Sequence, residues 1–225
     1  MTFDARLRGG LAALAACFAM LASPAHAGPV SVTETTDAGD SLATAQDARN
    51  GYVNLMIQGS LSNEPNSLDL VDLYRIDLLR CILGASTGMG FDTALIADPV
   101  LYLFDGSGMG VAMDDESGGN GQAFFKLVNQ LQAGDYYLAI AFAGVEPVDA
   151  AGNPIFDTFD TGAVMSMSAL AGWLGSPLAI NPSIVGAYQI AVDVPSPGTL
   201  ALVAGGLFFL IRRQRVQPLQ SGSAA

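Results

Sequence analysis

The sequence predicts an all-β protein, an antiparallel β-sandwich of about eight strands carried between two hydrophobic ends. Three observations predict it. Residues 28–194 hold repeated short runs with period-two alternation and little helical periodicity. Gly, Pro and Asp clusters punctuate those runs at the spacing of a sandwich. The segment is also long enough to bury a full core without disulfides.

The strands follow in order. Tyr52 to Ile57 alternates and is read as ending at Gly59. Asp72 to Leu78 places Tyr74, Ile76 and Leu78 on one face and Arg75 and Asp77 on the other. Phe91 to Ile96 is a further candidate. Val100 to Phe104 is continuously apolar, as expected of a strand buried on both faces. Asp105-Gly106-Ser107-Gly108 then makes a tight turn into Gly110 to Met113. Ala123 to Val128, Tyr136 to Phe142 and Tyr188 to Val192 complete the set. Between about 145 and 183 the chain is rich in Gly, Pro, Ala and Ser, which reads as an elaborated loop region with one short strand or helical turn near Val164 to Trp173.

Composition excludes several classes of function. The chain has 225 residues and a formal charge of −12. Residues 28–194 are more acidic still, with Arg49, Arg75, Arg80 and Lys126 against all the acids except Asp4. Phosphate neutralisation needs Lys and Arg, so nucleic acid is not an expected partner. Cys17 and His26 lie in the N-terminal segment, so residues 28–194 keep Cys81 and no histidine. A Ser-His-Asp triad, a Cys-His pair and a His-based zinc site are therefore excluded there, as is an internal disulfide. Cys81 sits among apolar residues and reads as a small buried hydrophobe. Trp173 reads as a core or loop anchor.

The two ends read as addresses. Residues 1–27 form a signal peptide: Arg6 and Arg8, an apolar run from Leu11 to Ala22, and Ala25-His26-Ala27 as a small-x-small cleavage site before Gly28. Leu14-Ala15-Ala16-Cys17 is a rival signal, similar to a bacterial lipobox, although the apolar run continues past it. At the other end, Val194-Pro195-Ser196-Pro197 precedes an apolar stretch from Leu200 to Ile211 and the basic cluster Arg212, Arg213 and Arg215. Prolines stop the preceding strand. The apolar stretch forms a short membrane helix with arginines held at the interface, leaving 28–194 outside the cytoplasm. Residues 216–225 read as a disordered extension.

Two resemblances follow from these residues. The C-terminal arrangement, taken as 195–215 behind Val194, resembles the PEP-CTERM sorting signal of Gram-negative bacteria. Position 196 departs from that pattern, being Ser where the family has Glu. The resemblance implies export across the inner membrane, anchoring, and handling by an exosortase-like processing enzyme before display at the cell surface or release. The second set is Asp69 to Ile76, Asp98 to Asp105, Asp114-Asp115 and Gly134 to Leu138. In that order it resembles bacterial pre-peptidase C-terminal domains. That resemblance implies a jelly-roll-like sandwich acting as an accessory or adhesion module without catalytic activity.

Acidic turns supply hard oxygen ligands of the kind calcium takes. The candidates are Asp69 and Asp72 before one strand, Asp105 in the hairpin, and Asp114 and Asp115, with Glu116 beside them, after the next strand. The opposing explanation is that Asp and Gly favour turns. Asp160-Thr161-Gly162 matches the aspartic-protease tripeptide, but Asp157 and Thr158 break the apolar lead-in such a site needs. The expectation is an exported, envelope-anchored, non-catalytic structural or adhesion protein of the exopolysaccharide or biofilm matrix. Its alternatives are a calcium-dependent carbohydrate-binding module and a secreted hydrolase using carboxylates alone.

Overall fold

Alternating and β-branched sequences order into strands throughout the computed structural model. It describes residues 29–193, except 51–53, 65, 79–81, 88–95, 97, 129–130, 158–164 and 176–184. Both terminal addresses, Cys81, most of the Phe91–Ile96 candidate and the Asp160 tripeptide lie outside the described residues. Among those described there is no helix, and hence none long and apolar enough to cross a membrane.

The first sheet runs β1(Val30–Thr33), β3(Leu55–Glu64), β13(Val185–Asp193), β6(Ile82–Ser86), β9(Phe124–Val128), with β4(Ser67–Asp69) also on β3. The second runs β2(Gln46–Asp47), β5(Val71–Leu78), β10(Gly134–Phe142), β7(Pro99–Asp105), β8(Gly110–Asp114). A separate ribbon joins β11(Val145–Val148) to β12(Gly172–Gly175).

Two features correct the expected architecture. The sheets are mixed, because β1 pairs in parallel with β3 and β2 with β5. The chain leaves β1 for the opposite sheet, forms β2, and returns for β3, so no hairpin forces a reversal. There are also more strands than eight among the described residues, because β6, β11 and the short pieces β1, β2 and β4 lie outside the expected runs. A third correction is local. β3 passes through Gly59 and continues to Glu64. A Cβ on Gly59 would fall on the Tyr188 hydroxyl, so the glycine marks a close crossing, not a strand end.

The register fixes which residues share a face. Tyr74, Leu138 and Leu103 stand in one row of the second sheet. The Tyr74 hydroxyl meets that of Tyr188 from the first sheet at 2.5 Å, so this row faces the core between the sheets. Leu73, Ala139 and Tyr102 form the next row on the opposite face. That face is covered as well. Phe156 lies 5.6 Å from Tyr102 and 5.8 Å from Phe104, and Trp173 meets the same two rings edge-on. β7 is accordingly buried on both faces, as its apolar run predicts.

The described residues that follow β10 form a cover over this face. β11 and β12 pair, and Leu170 and Ala171 donate backbone hydrogen bonds to Gly108 and Val148. The short strand or helical turn expected near Val164 to Trp173 corresponds to β12, which holds Trp173 and runs on to Gly175.

Candidate metal centre

Glu34, Asp69 and Asp72 come together at one corner of the sandwich, each offering a carboxylate oxygen within 4.8 Å of the others. Three local structures place them. Glu34 follows β1 directly, and its N–H extends the β1–β3 ladder by donating to the Gln58 carbonyl at 2.8 Å. Its Oε2 accepts the Ser60 N–H at 2.9 Å, across the gap that Gly59 leaves open. Asp69 ends β4 and Asp72 is the second residue of β5. Within one straight strand, residues three apart face opposite ways. The break at Leu70 turns the chain between the two sheets and lets both carboxylates converge.

Asp72 is fully buried. Its Oδ2 accepts the Tyr188 hydroxyl at 2.5 Å, and Tyr188 in turn meets the Tyr74 hydroxyl. Its Oδ1 has no hydrogen-bond partner. An unpaired oxygen on a buried carboxylate is costly, and a cation is one group that would satisfy it.

The electrostatics follow from this crowding. Burial, and then the neighbouring acids Asp37, Glu34 and Asp40, push Asp69 up to about 7. Burial pushes Asp72 up to about 8, with the Tyr188 hydrogen bond opposing it and Asp69, Glu34 and Asp37 adding to it. Glu34 is raised as well, chiefly by burial, against hydrogen bonds from the Ser60 and Ala38 backbone. Burial raises both tyrosines, so they stay protonated and donate. Among the described residues, Arg49 and Arg75 pair with Asp47 and Asp135 instead of with this corner.

The sequence candidates divide here. Asp69 and Asp72 belong to the cluster, while Asp105, Asp114 and Asp115 do not. Asp105 Oδ1 accepts the Ser107 N–H and hydroxyl and the Met109 N–H, closing the β7–β8 turn. Burial raises its carboxyl, but those hydrogen bonds outweigh it and the net shift is downward. Asp114 Oδ1 accepts the N–H groups of Ser117 and Phe124, both at 2.9 Å, and ties the β8–β9 connection. Asp115 follows β8 and lies near Asp98, whose carboxyl is raised by burial and then by that charge. Turn chemistry accounts for Asp105 and Asp114. Glu34 was not found from the sequence. Its one signal is its place at the end of the alternating Val30-Ser31-Val32-Thr33 run.

A cleft of about 280 Å³ opens beside the cluster. Asp37, Asp40 and Asp69 supply its carboxylates, and Leu68, Leu70, Val71, Val145, Trp173 and Leu174 its apolar walls. The Trp173 indole N–H donates to the Asp40 carbonyl at 2.7 Å, fastening the β1–β2 connection to β12.

No protein-family model and no curated protein matches this chain. Among solved structures it is similar to the pre-peptidase C-terminal domain of collagenase from Bacillus anthracis, at 16% identity and a TM-score of 0.33, covering 66% of this chain and 95% of that one. It is also similar to PliG, a periplasmic inhibitor of g-type lysozyme. The Aeromonas hydrophila protein gives 11% identity, TM-score 0.33, and coverage of 67% and 96%. The Salmonella Typhimurium protein gives 12%, 0.31, and coverage of 67% and 99%. Likenesses this remote assign no residue or function to the chain.

Proposed function

We propose that this chain is an exported, non-catalytic β-sandwich module of the cell envelope or extracellular matrix, and that it holds a calcium ion between Glu34, Asp69 and Asp72. The observation that carries the cation is the convergence of three carboxylates, one of which, Asp72, keeps a buried oxygen without a hydrogen-bond partner. An all-oxygen donor set suits a hard cation, and calcium takes six to eight such ligands in flexible geometry. The ion would pin the end of β1 to the β4–β5 corner. Deprotonation of Asp69 and Asp72 would accompany its binding.

The signal pattern ending at Ala27 and the tail from Val194 to Arg215 support export and handling by an exosortase-like enzyme. The resemblance to pre-peptidase C-terminal domains supports an accessory or adhesion role, with extracellular polysaccharide as the expected contact. Residues 28–194 contain no histidine, which supports a non-catalytic reading. Val30 and Val192 both stand beside Leu55, so β1 starts and β13 finishes at the end of the sandwich away from Glu34. A chain tethered there would present the acidic corner outward.

The test is calcium titration of chelator-treated protein by calorimetry and thermal melting. A hundredfold excess over Kd stabilises by about 2.7 kcal/mol, or roughly 5–10 °C for a chain of this size. Asp69→Asn and Asp72→Asn should abolish the shift. A melting temperature indifferent to millimolar calcium overturns the proposal.

A further inference from the structure

We propose that the cleft between β4 and the β11–β12 ribbon docks an extended basic peptide of another protein, with one Lys or Arg side chain entering between Asp37 and Asp40 and its neighbours lying on Leu68 and Leu174. The charge is the first reason. Glu34, Asp37 and Asp40 add to the field felt by Asp69, and Asp69, Glu34 and Asp37 to that felt by Asp72, so five acids crowd one corner. One divalent cation at Glu34, Asp69 and Asp72 leaves Asp37 and Asp40 without a counter-charge. Among the described residues no Arg or Lys pairs with either of them.

The walls decide what kind of cation fits. A second metal ion gains nothing from apolar sides. A Lys or Arg side chain does, because its alkyl stem lies on apolar surface while its head meets carboxylates. Leu68 is 64% exposed and Leu174 55% exposed, large apolar groups on two different elements that both line the cleft. Trp173 offers a ring to a guanidinium or ammonium group. The volume of about 280 Å³ is at the small end for ligand pockets, which suits a single side chain and not a bulky molecule. A second copy of this chain is a poor donor, since residues 28–194 contain four basic residues and Arg49 and Arg75 are already paired.

Trp173 is the chain's single tryptophan, so its fluorescence reports from inside the cleft. The probe is a Leu-Lys-Leu-Lys-Leu peptide, titrated in calcium at physiological salt. Expected is a saturable change in Trp173 emission that weakens as salt is raised. A peptide with Glu in place of Lys should give none. Asp37→Asn with Asp40→Asn should weaken binding about tenfold, and Leu174→Ser about threefold. Asp37→Asn keeps the acceptor oxygen that holds the Gly39 N–H, so the connection stays folded. Asp72→Asn, which removes a cation ligand but does not line the cleft, should keep the peptide response. Failure here is therefore distinct from failure of the calcium proposal. An emission change of equal size with spermidine, or equal binding by the double variant, overturns the proposal.

Discussion

Replacing Asp72 with Asn should stabilise the calcium-free protein at pH 8 and destabilise it at pH 4. In the unfolded chain an aspartate titrates near pH 4. In the fold, burial and neighbouring acids lift Asp72 to about 8. Between those values the folded state holds a proton that the unfolded state has released, so stability falls as pH rises through that window. Lifting the carboxyl from about 4 to about 8 corresponds to roughly 5–6 kcal/mol, at about 1.4 kcal/mol for each tenfold change in proton affinity. Asp69 and Glu34 titrate with it and share the effect, which leaves about 2–3 kcal/mol at this site. Asn cannot ionise and so escapes that loss. It keeps an acceptor for Tyr188 but buries an amide, at a cost of about 1 kcal/mol. The variant should therefore be about 1–2 kcal/mol more stable than wild type at pH 8 in chelator, and about 1 kcal/mol less stable at pH 4. Calcium should invert the order at pH 8, because only the wild type gains. Urea unfolding at both pH values, with and without calcium, measures all of these. A wild type equally stable at both pH values in chelator, with Asp72→Asn below it at both, would refute the reasoning.

Other perturbations separate the parts of the structure. Gly59→Ala places a methyl on the Tyr188 hydroxyl and 2.7 Å from Glu34 Oε2, so it should cost about 1–3 kcal/mol and remove the calcium-induced shift in Tm. Phe156→Ala empties the cover over Tyr102 and Phe104, and chemical denaturation should show a loss of about 3–5 kcal/mol. A loss below about 1 kcal/mol would mean that the cover over Tyr102 and Phe104 contributes little to the core. Asp135→Asn breaks the part-exposed pairs with Arg75 and Arg49, and its cost should stay under about 1 kcal/mol and vanish at high salt.

Most interior strands were legible because they bury side chains in a regular order, but β6, between β13 and β9, was not among the expected runs. The alternation from Asp72 to Leu78 became β5, and the unbroken run from Val100 to Phe104 became β7, covered on both sides. β8, β9 and β10 lie within a residue or two of the sequence expectation. The edge pieces were not legible. Gln46-Asp47 has no apolar residue to show that it pairs with β5, and that pairing is set by where the connection crosses between sheets. Gly59 looked like a stop because its partner, Tyr188, is remote in sequence. The acidic cluster was half legible. Asp69 and Asp72 announce themselves by spacing, but Glu34 joins them only because β1 lies in parallel beside β3. Asp105 and Asp114 carry the same residue type at the same kind of position, and one oxygen of each is already taken by backbone N–H groups.

The position of β13 has a kinetic consequence. It is the last strand of the described chain, yet it sits inside the first sheet between β3 and β6. The contact between Asp72 and Tyr188 closes a loop of 116 positions. Until residues 185–193 are available, β3 and β6 each present an open edge, and the two parts of that sheet are not joined. Folding must therefore wait for nearly the whole domain and proceed through distant pairings, which are slow to form. A truncation before residue 185 should leave aggregation-prone edges, not a smaller stable domain.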